Sequence, residues 1–358
     1  MEIFWFIILI GTIVIYAILD GYDFGAGIIH LFYAKDEADK VAIHKAIGPF
    51  WDANEVWLIA FGGLMFFAFP TLYASIFSGF YLPLMMILWL LIFRALGLEF
   101  RGVVNNHLWH SLWDKAFGIS SLLLALFFGA ALGNVVRGVN LGGVELAFSK
   151  YEAHYFFTPL WNENFSPLSV HEGILDWFTL LIGILSVVTL TIHGANWIIF
   201  KTNNSLNAKL KKLVPRLSIA MLMLTVVTIY LWVSRLNGSF ENLTKYPILN
   251  VFPIIAVVGI LGLLSINKFK NEGFGFLFSS LFIFGGLATT ASVLFPVFLP
   301  STNSINPALT IYNTGINDYG YMIGFKWWIV AIILVVIYFI IQHKVFKGKL
   351  DHIDYGDH

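Results

Sequence analysis

Acidic side chains occur inside two strongly apolar stretches of the sequence. Asp20 and Asp23 interrupt the first apolar run, and Asp52 and Glu55 begin a later one. Members of each pair are three residues apart, so they share one face of a helix. An ionised aspartate at the centre of a membrane costs roughly 2.5–3.5 kcal/mol on insertion scales, and intramembrane acids commonly form proton relays. The pattern therefore indicates groups that are paired or that handle protons.

The composition places these acids in a membrane protein. Of the residues, 58% are hydrophobic and only 12% are charged, and the mean hydropathy is +0.80. Soluble domains usually contain about 25% charged residues. The absence of cysteine excludes disulfides and thiolate ligation of a metal or haem. The start of the chain has no basic segment or small-residue cleavage site, so we expect the first apolar run to remain as a membrane helix.

Nine stretches are long and apolar enough to span a bilayer, which needs about 20 residues per helix. We predict an all-α membrane protein, a single integral membrane domain over residues 1–358. A weak parallel repeat, 1–138 and 171–299, suggests two four-helix bundles with a ninth, peripheral helix at 325–346. The outer connections 138–170 and 300–324 are predicted to be ordered loops. The predicted helices are 3–31, 52–70, 75–98, 116–137, 171–200, 214–236, 248–267, 275–299 and 325–346.

Basic residues are distributed unequally between the connections. Fifteen of the 21 lysines and arginines follow predicted helices 1, 3, 5, 7 and 9, five lie on the other side, and Arg94 lies within a helix. Positive residues favour the cytoplasmic side of a membrane. The sequence therefore predicts an outside N-terminus and an inside C-terminus.

This orientation brings the polar residues of four helices to a similar depth near the inner side. Arg94 and Glu99 approach the inner end of the third helix, and His193 does so in the fifth. A carboxylate at the start of a helix, as at Asp52, is stabilised by the helix dipole. Helix capping and pairing near the headgroups would explain any single acid. For the whole group, a proton relay is the better interpretation.

The histidines and glycines favour packing over cofactor binding. No His-x-x-x-His or Glu-x-x-His pattern occurs, and no two histidines are expected to face each other across a haem. His193 is therefore interpreted as a polar packing residue, and no metal or cofactor site is predicted in this chain. Glycines such as Gly25, Gly27, Gly62 and Gly63 are interpreted as close helix-packing positions.

Several motifs in the first hundred residues resemble subunit II of the cytochrome bd quinol oxidases. The clearest are Leu19-Asp20-Gly21-Tyr22-Asp23-Phe24-Gly25 and Pro49-Phe50-Trp51-Asp52-Ala53-Asn54-Glu55-Val56-Trp57. Phe93-Arg94-Ala95-Leu96-Gly97 follows, with Arg101 at its end, and weaker matches include Gly133-Asn134, Phe278-Ser279-Ser280 and Phe295-Pro296. The resemblance is specific in this first part and rests mainly on hydropathy over residues 140–270.

The resemblance implies a partner and a reaction. Subunit I of that family ligates two b-type haems and one d-type haem and oxidises quinol, and the complex reduces dioxygen to two waters with four electrons and four protons. A chain like this one would then carry no catalytic residue, no haem ligand and no metal site, and would lie in a bacterial cytoplasmic membrane. We expect no nucleic-acid partner.

The resemblance also implies residue roles. The acid matching Asp52 belongs to a proton path from the cytoplasm along the subunit interface, and the residues matching Asp23 and Arg94 are auxiliary. We extend the expected path to Asp52, Glu55, Asp20 and Asp23. The expected supporting residues are Trp51, Asn54, Trp57, Arg94, Glu99, Arg101 and His193.

Other functions remain open at the level of sequence. A secondary transporter or ion channel with an intramembrane carboxylate relay would use the same acids, although transporters often show inverted repeats and broken helices. A purely structural subunit that clamps its partner is a third possibility. The sequence also leaves open a bound structural quinone or lipid and a small accessory subunit.

Overall fold

We describe a computed structural model of the chain over residues 1–142, 153–169, 172–203, 205–236 and 238–350. The described part is almost entirely helical, with one pair of short strands. Its helices are α1 (Glu2–Phe32), α2 (Glu37–Ile47), α3 (Trp51–Ala68), α4 (Pro70–Gly79), α5 (Tyr81–Phe100), α6 (His107–Arg137), α7 (Trp177–Lys201), α8 (Ser205–Arg235), α9 (Glu241–Lys245), α10 (Val251–Leu264), α11 (Gly273–Leu294) and α12 (Asp318–Val345). Two 3₁₀ turns, Pro247–Asn250 and Ile266–Lys268, flank α10.

Eight helices in the described ranges are long and apolar enough to cross a membrane. They comprise α1, α5, α6, α7, α8, α11, α12 and the segment Pro247–Leu264 that contains α10. The predicted segment 52–70 forms the 18-residue helix α3, which is not among the eight. Its first turns carry Asp52, Asn54 and Glu55, which lower its hydropathy. The count of nine membrane crossings stays a prediction.

Local sequence explains where the helices differ from the predicted segments. The predicted helix 75–98 is divided into α4 and α5 at Phe80, whose backbone leaves the helical region. Helix α6 begins earlier than predicted because the Asn106 side chain caps its free amides. Asp176 caps α7 in the same way, so that helix begins later than predicted. The amphipathic helix α2 lies in a stretch that the sequence analysis treated as a connection.

Helix α1 is central to the packing and positions the acidic residues of its own second half. It packs against α3, α6, α7 and α11, while α6 packs against α5 and α7. Helices α10 and α11 form a second tight pair, and α8 packs against α7. The residues of α1 from Tyr22 to His30 are buried. Side chains on that part of α1 therefore face protein rather than lipid.

The crossing of α1 and α7 depends on two glycines. A Cβ atom on Gly25 would lie 2.7 Å from the amide nitrogen of Gly194, and one on Gly194 would lie 2.4 Å from the amide nitrogen of Ala26. The close backbone approach therefore tolerates no side chain at either position. Gly62 and Gly63 have no such contact within the described part of the chain, because an added Cβ would have open space around it, so close packing at these positions stays a prediction.

The two long outer connections contact each other at one end of the molecule. The Val139 amide donates to the Pro300 carbonyl (3.0 Å), and the Asn303 amide donates to Asn140 Oδ1 (2.7 Å). Strands β1 (Val297–Leu299) and β2 (Leu309–Thr310) pair antiparallel within the second connection. These hydrogen bonds agree with ordered loops over the described residues, while 143–152, 170 and 171 lie outside them.

Helix α12 lies on the outside of the molecule and runs in the same direction as α1. Near its start, Phe325 contacts Phe4 with ring centroids 5.2 Å apart, and near its end His343 contacts Phe50 at 5.5 Å. The apolar 18-residue stretch of α12 that could span a membrane contains no buried residue. The two ends of the described chain therefore lie at opposite ends of the helices. Which end is cytoplasmic stays a prediction.

Candidate functional site

A buried group of charged residues joins α1, α3 and α5. Arg94 Nη1 donates to Asp20 Oδ1 (2.6 Å), and Arg94 Nη2 donates to Asp20 Oδ2 (3.2 Å) and to Glu55 Oε2 (3.0 Å). Asn54 Nδ2 donates to Asp23 Oδ2 at 2.8 Å. We call Arg94, Asp20, Asp23, Glu55 and Asn54 the Arg94 cluster. Such paired, bidentate contacts hold the guanidinium in one orientation.

The Arg94 cluster is closed to solvent on all but one side. Arg94, Asp20 and Asp23 are fully buried, whereas the Glu55 side chain is 23% exposed. The Arg94 guanidinium also lies over the Phe24 ring, 4.6 Å from its centroid. Glu55 is thus the member through which the buried acids meet the surface of the chain.

Carboxylates outnumber cations in the Arg94 cluster. Asp20 and Glu55 share the single guanidinium, while Asp23 is bonded to the neutral amide of Asn54. Asn54 also donates to the Tyr22 hydroxyl at 2.7 Å. Asp23 Oδ1 has no hydrogen-bond partner among the described residues. An unpaired buried carboxylate is costly in its ionised form, so this arrangement favours retention of at least one proton.

Asp52 lies outside the Arg94 cluster. Its side chain is exposed on the first turn of α3, and Glu55, not Asp52, forms the second ion pair of Arg94. Asp52 therefore takes no part in the pairing of Arg94. Asp52 is one turn before Glu55 and lies on the exposed face of the same helix.

The expected supporting residues lie in different environments, some buried and some exposed. Asn54 is fully buried within the cluster, and Glu99 is exposed at the end of α5. Trp57 packs against Phe339 of α12, with ring centroids 5.8 Å apart, and Trp51 is half-buried at the start of α3. Of this set, only Arg94 and Asn54 contact the acids that the sequence analysis selected.

His193 is committed to helix packing. Its Nδ1 lies 2.8 Å from Ser279 Oγ on α11, and its Nε2 lies 2.8 Å from the Ile18 carbonyl on α1. The ring stacks on Phe276 at 4.7 Å. With both nitrogens engaged, His193 does not fit the role of a haem axial ligand. This geometry agrees with the interpretation of His193 as a packing residue.

Arg101 belongs to a second charged group, which joins α1, α2, α5 and α6. Its Nε donates to Asp114 Oδ1 and its Nη2 to Glu37 Oε1, each at 2.6 Å. Lys40 Nζ donates to Asp114 Oδ2 at 2.7 Å, and His30 Nε2 lies 3.2 Å from Asp114 Oδ1. We call Arg101, Asp114, Glu37, Lys40 and His30 the Arg101 cluster. Arg101 is thus a member of a separate ion-pair network.

Three side chains of this region are close enough to be considered as metal ligands. Ligand atoms of His30, His44 and Asp114 lie within 4.8 Å of one another. The His30 and His44 rings are in edge contact at 5.1 Å, which leaves no space for a haem between them. Both Asp114 oxygens already accept hydrogen bonds from Lys40 and Arg101, and these cations oppose a divalent ion. The donor set therefore fits an ion-pair network better than a metal centre.

Packing in this region also keeps one imidazole neutral. The His44 ring lies against His30 and Phe117. Burial, together with the nearby positive charge of Arg101, lowers the pKa of His44 well below its usual range. A neutral His44 adds no charge to the Arg101 cluster at physiological pH.

The sequence analysis missed Asp114 and the whole of the Arg101 cluster except Arg101 itself. Asp114 lies in a stretch that was treated as the connection before a helix starting at residue 116, although α6 begins at His107. The missed members come from three separate helices, α1, α2 and α6, and no short spacing in the sequence connects them. An available signal was that Arg101, adjacent to a predicted span, needed an acidic partner.

Comparison with known proteins gives one consistent family. The family described as cytochrome bd terminal oxidase subunit II matches residues 1–346 of the chain. A probable cytochrome oxidase subunit 2 of Haemophilus influenzae is 28% identical, covering 98% of this chain and 95% of that protein. Subunit 2 of the cytochrome bd-I ubiquinol oxidase of Escherichia coli is also 28% identical, covering 87% of this chain and 84% of that protein.

A solved structure shares the fold. A chain of the bd oxidase from Geobacillus thermodenitrificans superimposes with a TM-score of 0.55, at 13% sequence identity, covering 96% of this chain and 97% of that chain. The family match over residues 1–346 leads to one assignment: the chain belongs to the family of cytochrome bd terminal oxidase subunit II.

Proposed function

We propose that the chain is the haem-free subunit of a quinol:oxygen oxidoreductase and that its Arg94 cluster lies on the path by which protons reach the complex. Membership of the subunit II family supports the role in a terminal oxidase. The excess of carboxylates over cations around Arg94 is the observation that carries the proton-handling role. Family membership favours this function over a transporter or ion channel.

The haems are assigned to a partner, subunit I. In the described part of this chain, His193 has both nitrogens engaged and the His30–His44 contact leaves no room for a porphyrin. When bound by the partner, b-type and d-type haems would supply electron transfer from quinol and the reduction of dioxygen. The residues of this chain would bind and orient the partner and supply protons.

One face of α3 has the properties expected of the partner contact. Asp52, Val56, Ile59 and Phe66 recur at helical spacing on this face, and all are exposed. Val56 is 53% and Ile59 72% exposed. Asp52 is the charged end of this otherwise apolar surface. A partner that covers this face would enclose Asp52 at the edge of the interface.

The proposed proton route starts at Asp52 and enters the Arg94 cluster through Glu55. Glu55 is the partly exposed acid one turn further along α3; it shares the Arg94 guanidinium with Asp20, and its neighbour Asn54 binds Asp23. Burial favours the neutral form of a carboxyl group, and a nearby guanidinium favours the ionised form. The opposition of these effects lets a carboxyl group take up and release a proton at a small energetic cost.

The direction of the route follows from the charge distribution. The inner end of α1 and the start of α3 lie at the end of the molecule that is rich in lysine and arginine, which supports a cytoplasmic proton source. This implies an outside N-terminus, an inside C-terminus and a location in the bacterial inner membrane. A structural quinone or lipid within this chain and a small accessory subunit stay predictions.

The route is tested at its proposed entrance. Asp52→Asn removes a titratable group from an exposed position and leaves the ion pairs of Arg94 intact. We expect quinol-driven oxygen consumption to fall at least about tenfold, within the range for loss of a proton-transfer group. Glu37→Gln, another exposed carboxylate that binds Arg101, is the matched control. Equal turnover of Asp52→Asn and wild type, at equal haem content, would remove Asp52 from the route.

A further inference from the structure

A cationic cavity lies between the end of α1 and the first half of α8, and none of its lining residues belongs to either charged cluster. Its volume is about 300 Å³, and it is open to the surface. The lining residues are mainly basic, with one aromatic and one aliphatic side chain: Tyr33, Lys35, Lys209, Lys212, Leu213 and Arg216. The cavity therefore has the charge of an anion site and part of the apolar lining of a lipid site.

Most of the positive charge in this cavity is uncompensated. Lys209 Nζ is paired with Asp39 Oδ2 at 3.1 Å, and Asp39 is buried. Lys35, Lys212 and Arg216 are exposed and form no salt bridge within the described part of the chain. Lys212 and Arg216 are four residues apart on one helix face, where like charges destabilise a helix. A bound anion would remove this repulsion.

The cationic residues continue directly into an apolar surface. Along α8, Lys212 and Arg216 are followed on the same face by Ile219, Met223 and Val226, at alternating spacings of three and four residues. The three apolar side chains are 48%, 60% and 57% exposed. Since α8 is long and apolar enough to span a membrane, this face can contact acyl chains. The basic residues then lie at the depth of lipid headgroups.

We infer that this surface binds an anionic phospholipid. Its phosphate would lie among Lys35, Lys212 and Arg216, and its acyl chains would lie along Ile219, Met223 and Val226. Basic pockets at the inner ends of membrane helices recognise anionic headgroups in this manner. Two cations on α8 beside a third in the connection between α1 and α2 can contact one phosphate together, and Arg216 offers a planar pair of donors to it. The site is separate from the proton route proposed above.

The inference is tested on the purified, detergent-solubilised protein with whatever partner remains bound to it. After delipidation, the midpoint of thermal unfolding is measured during titration with phosphatidylglycerol, with phosphatidylcholine of the same acyl chains, and with inorganic phosphate. We expect phosphatidylglycerol to raise the midpoint well above the other two. Equal shifts with the two lipids would overturn the role of the headgroup, and an equal shift with inorganic phosphate would overturn the role of the acyl chains.

Substitutions locate the site. In Lys35→Gln/Lys212→Gln/Arg216→Gln, we expect the phosphatidylglycerol concentration for half of the shift to rise at least about tenfold, because each basic residue near the surface contributes to binding. The control Lys115→Gln/Lys268→Gln/Lys344→Gln removes three exposed charges elsewhere on the basic end of the molecule. Equal loss in both triple variants would show a general charge effect and would contradict a site in this cavity.

Discussion

Arg94 in α5 and Arg101, the first residue after α5, are seven residues apart and organise two charged clusters with different charge balance. Arg94 is the only cation among three carboxylates, those of Asp20, Asp23 and Glu55. Arg101 instead shares two carboxylates, those of Asp114 and Glu37, with Lys40 and His30. The first cluster is almost fully buried, and the second contains Glu37, whose side chain is 52% exposed.

On the function proposed above, the difference in charge balance means that the Arg94 cluster can exchange protons, whereas the Arg101 cluster holds helices together. A cluster with as many permanent cations as acids can keep every acid ionised, so the number of protons that it binds changes little during turnover. A buried cluster with excess acids must hold protons to limit its charge. Two arginines in similar sequence positions can therefore have different roles because of the residues that other helices bring to them.

Of the changes considered, removal of an arginine should have the largest effect on stability. The size of this effect should differ between the two clusters. Arg94→Gln leaves Asp20 and Glu55 without a cation, and breaking a buried ion pair costs about 3–5 kcal/mol. Arg101→Gln leaves Asp114 paired with Lys40, so we expect a smaller cost of about 1.5–3 kcal/mol. The yield of assembled complex and its thermal unfolding midpoint measure both effects. Equal losses would contradict the different charge balance of the two clusters.

Neutral substitution of an acid should reduce turnover in the Arg94 cluster and reduce stability in the Arg101 cluster. Asp23→Asn keeps the hydrogen-bonding shape and removes a titratable group that has no cation, so we expect near-normal stability and reduced turnover. Asp114→Asn weakens the bonds with Arg101 and Lys40, so we expect a loss of stability of about 1.5–3 kcal/mol and normal turnover per assembled complex. Turnover is normalised to haem content. Loss of turnover in Asp114→Asn alone would reverse the assignment of the two clusters.

The pH dependence of stability should depend on His44 beside the Arg101 cluster. Because its pKa in the folded protein lies below the unfolded value, the stability that neutral His44 provides is fully present above pH about 6.5 and is lost as the pH falls toward the folded pKa. We expect a loss on the order of 1 kcal/mol. The unfolding midpoint is measured for wild type and His44→Gln at pH 7.5 and at pH 5.5. These values lie roughly one unit on either side of the unfolded pKa of histidine. The same decrease in both would contradict this role.

The sequence predicted the parts of the site that depend on local spacing. Asp20 and Asp23 on α1 share a face because their spacing matches a helical turn. Asn54 and Glu55 are consecutive residues near the start of α3. Their motifs also brought Arg94 into the same group, and the structure shows the contacts. The preference of Arg94 for Glu55 over Asp52 was not predictable, because it depends on the rotation of α3 about its axis. That rotation is set by packing against α1.

The parts that could not be predicted depend on contacts between distant segments. Asp114 meets Arg101 and Lys40 only because α2, which the sequence analysis did not identify, lies against the ends of α1 and α6. The close crossing at Gly25 likewise requires Gly194, 169 positions later in the chain. Single-sequence patterns identify faces of helices, and tertiary packing decides which faces meet.

The central claim is that the Arg94 cluster transfers protons and the Arg101 cluster does not. Its most direct test compares Glu55→Gln with Glu37→Gln, since Glu55 accepts a hydrogen bond from Arg94 Nη2 and Glu37 accepts one from Arg101 Nη2. Proton uptake and quinol-driven oxygen consumption are measured together, on complexes with equal haem content. We expect Glu55→Gln to lower both at least about tenfold and Glu37→Gln to retain both. Unchanged proton uptake and turnover in Glu55→Gln would contradict the claim.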